Sequence, residues 1–380
     1  MLFLGLMGAK TARIGWIDEF KGFVLLLVCL YHVEQAFPQA QMGMLHLSAL
    51  RMSAFFFISG MLFSTRRFSS FKDYFVHKTR VLLVPYILLS LLFLALDPVL
   101  YNFDLFPKAP RMTIMNIRPE IVTVWDYIYW NLAKIFVAGK SSIGSGPLWF
   151  VFTLYSVSLI FYGVQKFIPK RAIFFVSLAS LAGGWLLYMN HIRLPLGIER
   201  DLTVLFFFAN GWLCKGAAPL SSGGNTRSTK STLILVAATI ASFAAYAYLE
   251  APDPNFSIMN NDLGKDLRIF VASSFFGIAG LIGAFVLADS LPNAAPVRIV
   301  KGILRNISRN ALVILAVHWY TLLVMRLLFK PEINKPGIAY LAIPIVIAVV
   351  IGTIPLFRCK LYKLLGKEKI SLRESLNIRD

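Results

Sequence analysis

The chain has 380 residues, of which 57% are hydrophobic and only 15% charged. A soluble domain carries roughly 25% charged residues, so a soluble globular fold is excluded, and the apolar residues run in blocks near the about 20 residues that a membrane-spanning helix needs. The formal net charge of +19 does not point to nucleic acid, because the basic residues lie in short segments between the apolar blocks, which is the pattern that orients membrane proteins.

Ten blocks predict ten transmembrane helices, in chain order about 20–37, 47–63, 81–100, 148–164, 172–190, 202–214, 232–249, 267–288, 310–329 and 337–356. The sixth is short. The stretch 125–138 carries Asp126, Asn131 and Lys134 among aromatic residues with polar tips, and it is predicted to lie in the headgroup layer. The opening MLFLGLMG is too short to span, and no small-residue cleavage site precedes the first block, so no signal peptide is expected. Residues 1–19 and a basic tail, 357–380, flank a transmembrane domain of 20–356. The longest predicted external loop, 101–147, contains FPKAPR and IRPE, and the internal segment 216–231, rich in Gly, Ser and Thr, is expected to be a flexible linker.

Placing the N-terminus on side one puts 25 of the 38 Lys and Arg residues on that side. The positive-inside rule then predicts that both termini are cytoplasmic. Cysteine is sparse (Cys29, Cys214, Cys359), with no metal-ligand spacing, so neither a disulfide framework nor a metal site is expected.

An ionisable side chain at bilayer depth costs at least ~2.5 kcal/mol, which makes each one a functional candidate. In the first block Lys21 and His32 are eleven residues apart. That is about 20° from three whole turns and about 16 Å along the axis, so both share one helix face. Asp18 lies three residues before Lys21 and can pair with it. Glu34 is the nearest carboxylate to His32 in sequence, but residues i and i+2 do not face each other. Arg51 opens an otherwise apolar second block, and His318 sits mid-way along the ninth, with Arg309 and Asn310 at its start. Each has a bland alternative: a snorkelling anchor for Lys21 and Arg51, a neighbour-bonded core histidine for His32 and His318. His46, His77 and His191 fall in loops or at helix ends, where solvation is the default. The internal segments 64–80 and 289–309 carry Lys78, Arg80, Arg305 and Arg309. Such charges suit phosphate groups of a nucleotide-like ligand or lipid headgroups equally.

Taken together, these residues resemble the acyltransferase-3 family of integral membrane acyltransferases. The resemblance rests on Asp18-x-x-Lys21, on Lys21-x10-His32, and on LRMSAFFFISGM (Leu50 to Met61). It continues with KTRVLLVPY around Pro85 and Tyr86, GPLWF (Gly146 to Phe150) and RNALVILAVHW (Arg309 to Trp319), in the family's order. The Arg-Met form of the second motif is similar to the branch of periplasmic glucan succinyltransferases. Two positions depart from the pattern: Val81 stands where a second arginine is common, and Ser53 where proline is common.

The resemblance implies an all-α polytopic bundle in the bacterial cytoplasmic membrane that moves an acyl group from acyl-CoA to a hydroxyl of an extracytoplasmic glycan or lipid-linked sugar. Acetyl-CoA is the expected donor and a succinyl donor the next. It implies His32 as general base or acyl relay, with Arg51 and His318 as further catalytic candidates and Trp149 beside Arg51 at the outer mouth. Lys21, Lys78, Arg80, Arg305 and Arg309 are the expected cofactor contacts, and Asp18, Glu34, Trp149 and Asn310 the positioning residues. Membrane lipids are the expected surroundings, no nucleic acid is expected, and homo-oligomerisation stays open. The rival reading is a transporter or flippase for a lipid-linked glycan, which basic loops and a large outer loop would also suit.

Overall fold

The computed structural model describes residues 15–102, 116–117, 120–216, 228–250, 256–292, 294–329, 331–369 and 371. The FPKAPR run, most of the predicted 216–231 linker, the first fourteen residues and the end of the basic tail lie outside the described residues. Among the described residues the chain is mainly helical, and Ser257 and Asp262 form an isolated antiparallel bridge.

The helices are α1 (Gly15–Ala36), α2 (Ser48–Met61), α3 (Phe71–Lys78), α4 (Val84–Asn102), α5 (Val124–Phe136), α6 (Trp149–Phe167) and α7 (Lys170–Met189), followed by α8 (Ile198–Leu213), α9 (Thr229–Glu250), α10 (Leu267–Asp289), α11 (Ala295–Arg309), α12 (Ala311–Phe329) and α13 (Ala342–Pro355). Eight helical stretches, from Met44–Met61 to Ala339–Lys360, are long and apolar enough to cross a membrane. The protein is therefore a polytopic helical membrane protein. The two other predicted blocks also fold as helices. α1 carries Asp18, Glu19 and Lys21 in its first turns, and α8 has only 16 residues.

Helix ends follow local chemistry. Ser70 accepts from the Asp73 N–H at the start of α3, and Asp266 accepts from the Arg268 N–H at the start of α10, each satisfying an orphan donor. α5 opens with a reciprocal capping box between Thr123 and Asp126. A π-turn, Thr79–Leu83, joins α3 to α4, so the predicted third block extends backwards into one long helical stretch, Phe71–Val99.

α8 forms the centre and packs against α2, α6 and α7, while α1 packs against α2, α10, α11 and α12. Lipid tails are as apolar as leucine, so close packing rather than water exclusion holds such helices together. Gly60 and Gly211 permit it reciprocally: a Cβ on Gly60 would lie 1.9 Å from the Phe208 carbonyl oxygen, and one on Gly211 would lie 1.9 Å from that of Phe57. The periphery differs. Only 11% of the α9 span is buried, against 67% for the α2 span.

Two expectations change. The 125–138 stretch is helical, but Asn131 and Lys134 are not presented to the surroundings: with Tyr127 and Ile135 they form one buried stripe, while Trp125, Tyr129 and Phe136 face outward. The basic segment 289–309 is largely the amphipathic helix α11. Its Ile299, Val300 and Ile303 are exposed on one face, with Arg298, Lys301 and Arg305 on the other by helical spacing.

Candidate active site

α1 carries Lys21 and His32 on one stripe, Lys21 at the end of the bundle that holds the basic segments and His32 toward the opposite end. Lys21 Nζ lies 3.2 Å from Asp18 Oδ1. His32 Nδ1 lies 3.0 Å from Gln35 Oε1. With the amide oxygen accepting, Nδ1 carries the ring proton and Nε2 presents its lone pair. Glu34 is not the histidine's partner, because it points elsewhere and accepts from the Met44 N–H at 2.9 Å. Sequence spacing offered a signal for Gln35, since i,i+3 residues share a helix face.

Around His32, α12 supplies two rings. His318 stands 5.3 Å from it and Trp319 5.1 Å, centroid to centroid. His318 is fully buried, and its Nδ1 lies 2.6 Å from the Ile314 carbonyl oxygen. It backs the imidazole rather than lining a cavity with it. Trp319 Nε1 donates to the Ile143 carbonyl at 2.8 Å, which ties α12 to the loop before α6. The same loop is held by Asp97, whose Oδ2 accepts from Tyr127 Oη at 3.1 Å and from the Gly144 N–H at 3.3 Å. Arg51 is buried, donates to the Met44 carbonyl and stacks 4.1 Å from the centre of the Tyr31 ring. The Trp149 ring has the buried Arg200 guanidinium 5.4 Å from its centre.

Three cavities lie next to one another along these residues, each sharing wall residues with the next. The first, about 370 Å³, opens at the basic end, where Lys21, Arg67, Lys78, Arg309 and Lys367 line it. The second, about 130 Å³, is lined by Tyr31, His32, Gln35, Arg51 and Trp149. The third, about 580 Å³, is a polar vestibule that includes His32, Lys134, Lys140, Arg193 and Trp319. Phe55, Phe150 and Leu315 belong to the walls of both the first and the second. The rings of Phe55 and Phe150 meet edge-on at 4.6 Å. His32, Gln35 and Trp149 belong to both the second and the third. His32 is thus the junction of the series.

The structure brings Lys21, Lys78 and Arg309 together at the first cavity, as the sequence suggested for ligand contacts. It does not bring Arg80 or Arg305 there. Arg80 is exposed and outside the cavity lining. Arg305 binds Glu19, with Nη2–Oε1 at 2.6 Å and Nε–Oε1 at 2.9 Å. Arg67 and Lys367 take those places, and Lys367 also donates to the Arg309 carbonyl at 3.2 Å. Asn310 is buried and donates to Asn306 at the α11–α12 corner. Sequence reasoning missed Lys134, Lys140 and Arg193, because nothing in a one-dimensional pattern places α5 and two loops around a single cavity.

The vestibule's charges are perturbed by their setting. Lys134 on α5, which does not span, is pushed down to about 7 by burial and then by Lys140. Lys140 in the following loop is pushed down to about 8 by burial, Arg200 and Arg193. Removing an ammonium from water penalises its charged form, and like charges add to that.

Searches of curated proteins and of solved structures find no match. A family model described as an acyltransferase domain matches residues 14–357, which include α1 with its Lys21-to-His32 stripe and every lining residue of the cavity series named above except Lys367. The chain belongs to the acyltransferase-3 family and is a membrane acyltransferase.

Proposed function

We propose that the protein moves an acyl group from acyl-CoA, bound at the basic end, to a hydroxyl of a glycan or lipid-linked sugar that enters from the opposite side. The positive-inside rule makes the basic end cytoplasmic, which suits the bacterial inner membrane. The observation that carries this reading is the cavity series with His32 at its junction.

Five cationic side chains at the first cavity suit the phosphates of the donor. The pantetheine arm then passes between Phe55, Phe150 and Leu315, and the thioester reaches the small middle chamber beside Arg51. The acceptor hydroxyl approaches from the vestibule. Its oxygen attacks the thioester carbonyl carbon while His32 Nε2 takes its proton. Arg51 stabilises the developing oxyanion. Collapse breaks the C–S bond, and the imidazolium returns the proton to the departing thiolate. Gln35 holds the tautomer in which Nε2 is free, and His318 and Trp319 fix the plane of the ring. Acetyl is the acyl group a 130 Å³ chamber suits best, with succinyl next because Arg51 lines it.

Mass spectrometry of cell-envelope glycans from cells with and without the protein tests this reading. An acyl mass increment is expected that depends on the protein and disappears in His32→Ala. A general base contributes about 10² to 10⁴ in rate, so an increment that survives His32→Ala undiminished would overturn the role given to His32. Complete absence of acyl-CoA turnover by the wild-type protein in proteoliposomes would overturn the donor assignment.

A further inference from the structure

The vestibule has a charge pattern that a neutral sugar does not explain. Lys134, Lys140 and Arg193 line it, and Glu199 is the one carboxylate among its lining residues. Glu199 is engaged locally, accepting from the Leu194 N–H at 3.0 Å. Among the described residues none of the three cations forms an ion pair. Lys134 is 2% exposed, and its Nζ has Asn131 Oδ1 at 3.4 Å as acceptor, although an ammonium can donate three bonds. Lys140 Nζ and the Arg193 guanidinium both donate to Asn260, to Oδ1 and to the carbonyl oxygen respectively. One neutral residue therefore holds two cations side by side. Asp97 and Glu199 act on Lys134 and Lys140 only from beyond ion-pair range, and a buried cation without a close counter-charge is costly, so the cluster is suited to an anion brought in from outside. Trp149 and Trp319 line the same space, and an indole face is a platform on which a sugar ring can lie.

We propose that this vestibule is an acceptor subsite for an acidic carbohydrate, whose ring lies against Trp319 or Trp149 and whose carboxylate or phosphate is held by Lys134, Lys140 and Arg193. The inference rests on the transferase reading above and narrows its acceptor. The anion fixes the sugar's register so that a hydroxyl, rather than the charged group, reaches His32.

The test uses the full-length protein in phosphatidylcholine vesicles, whose headgroups carry no net charge, with acetyl-CoA as donor. Two soluble acceptors are compared: a neutral glucose trisaccharide and the same trisaccharide with one glucuronic acid. A charge-assisted hydrogen bond is worth about 1.5–3 kcal/mol, so kcat/KM for the acidic acceptor is expected to exceed that for the neutral one by ~10-fold or more. Lys134→Gln and Lys140→Gln each reduce the preference, and Lys140→Arg restores it. Lys140 is only half-buried, so its variants keep the test usable where Lys134→Gln fails to fold. Equal kcat/KM for the two acceptors, with acetyl-CoA turnover still dependent on His32, overturns the acidic-acceptor inference and leaves the transferase reading standing. A preference that instead follows donor charge, succinyl-CoA over acetyl-CoA on the neutral acceptor, places the anion on the acyl group and overturns it too. So does a preference that arises only when phosphatidylglycerol is added, which identifies a lipid headgroup site. Loss of all turnover in the wild type removes the reading on which the inference rests.

Discussion

Gln35 is three residues beyond His32 and holds the imidazole by one hydrogen bond of 3.0 Å. That bond decides which ring nitrogen is free, so its loss misorients the proposed base without removing it. Gln35→Leu is expected to lower kcat by about 10-fold, the rate equivalent of one hydrogen bond of roughly 1–1.5 kcal/mol. KM for acyl-CoA should stay constant, because the proposed site for the donor's charged part lies at the other end. A KM rise with kcat preserved would place Gln35 in substrate binding instead. The two vestibule lysines give a pH signature at the same scale. Lys134, held to about 7, and Lys140, held to about 8, lose their protons between pH 6 and 9. Burial sets both first; Lys140 lowers and Asp97 raises Lys134, while Arg200 and Arg193 lower and Glu199 raises Lys140. KM for an acidic acceptor should rise across that window, and KM for a neutral one should not. Stability moves oppositely. Both folded values lie below the ordinary lysine value of about 10.4, so the unfolded chain binds more protons between pH 7 and 10 and these two groups make the fold more stable as pH rises. Thermal unfolding in detergent across that range checks the sign.

At the scale of elements, α11 explains why charge in a basic segment need not mean ligand contact. Its Arg305 satisfies Glu19 of α1, which is 1% exposed, and α1 packs along α11. Removing the guanidinium strands a buried carboxylate. Arg305→Ala is expected to cost about 2 kcal/mol of stability while leaving KM for acyl-CoA within about two-fold. Arg67→Ala, at the first cavity, is expected to raise that KM several-fold with little effect on stability. The reverse pattern would exchange the two assignments. α5 makes the complementary point. Its period was legible, and its outward aromatics suit a membrane surface, yet the face bearing Asn131 and Lys134 turns inward. Its amphipathicity separates two faces but does not say which one meets the protein.

For the whole molecule, the wall that Phe55 and Phe150 contribute to both of the first two cavities is the control point of the proposed donor route. α2 supplies one ring and α6 the other. Phe55→Trp enlarges a ring in the wall shared by the first two cavities, and overpacking of this kind costs about 1–3 kcal/mol. Here the expected result is a fall in kcat of ~10-fold or more for acyl transfer, with binding of free coenzyme A at the basic end retained. Equal loss of coenzyme A binding and transfer would mean that the two chambers are not traversed in series.

The sequence by itself determined the membrane class, the helical character, the i,i+3 pairing of Asp18 with Lys21, and the shared stripe of Lys21 and His32. Each of these depends on composition or on the 3.6-residue period, which a linear chain displays. It also carried enough ordered motifs to resemble the family that the comparison then showed. What only the tertiary structure decided is how distant segments meet: Gln35 rather than Glu34 beside His32, Arg67 and Lys367 in place of Arg80 and Arg305 at the first cavity, and α5 with two loops closing a cationic vestibule. Those choices depend on which face of each helix packs and how closely backbones approach at residues such as Gly60 and Gly211. In a bilayer both faces of a span are apolar, so local pattern carries little information about partners, and packing settles the matter.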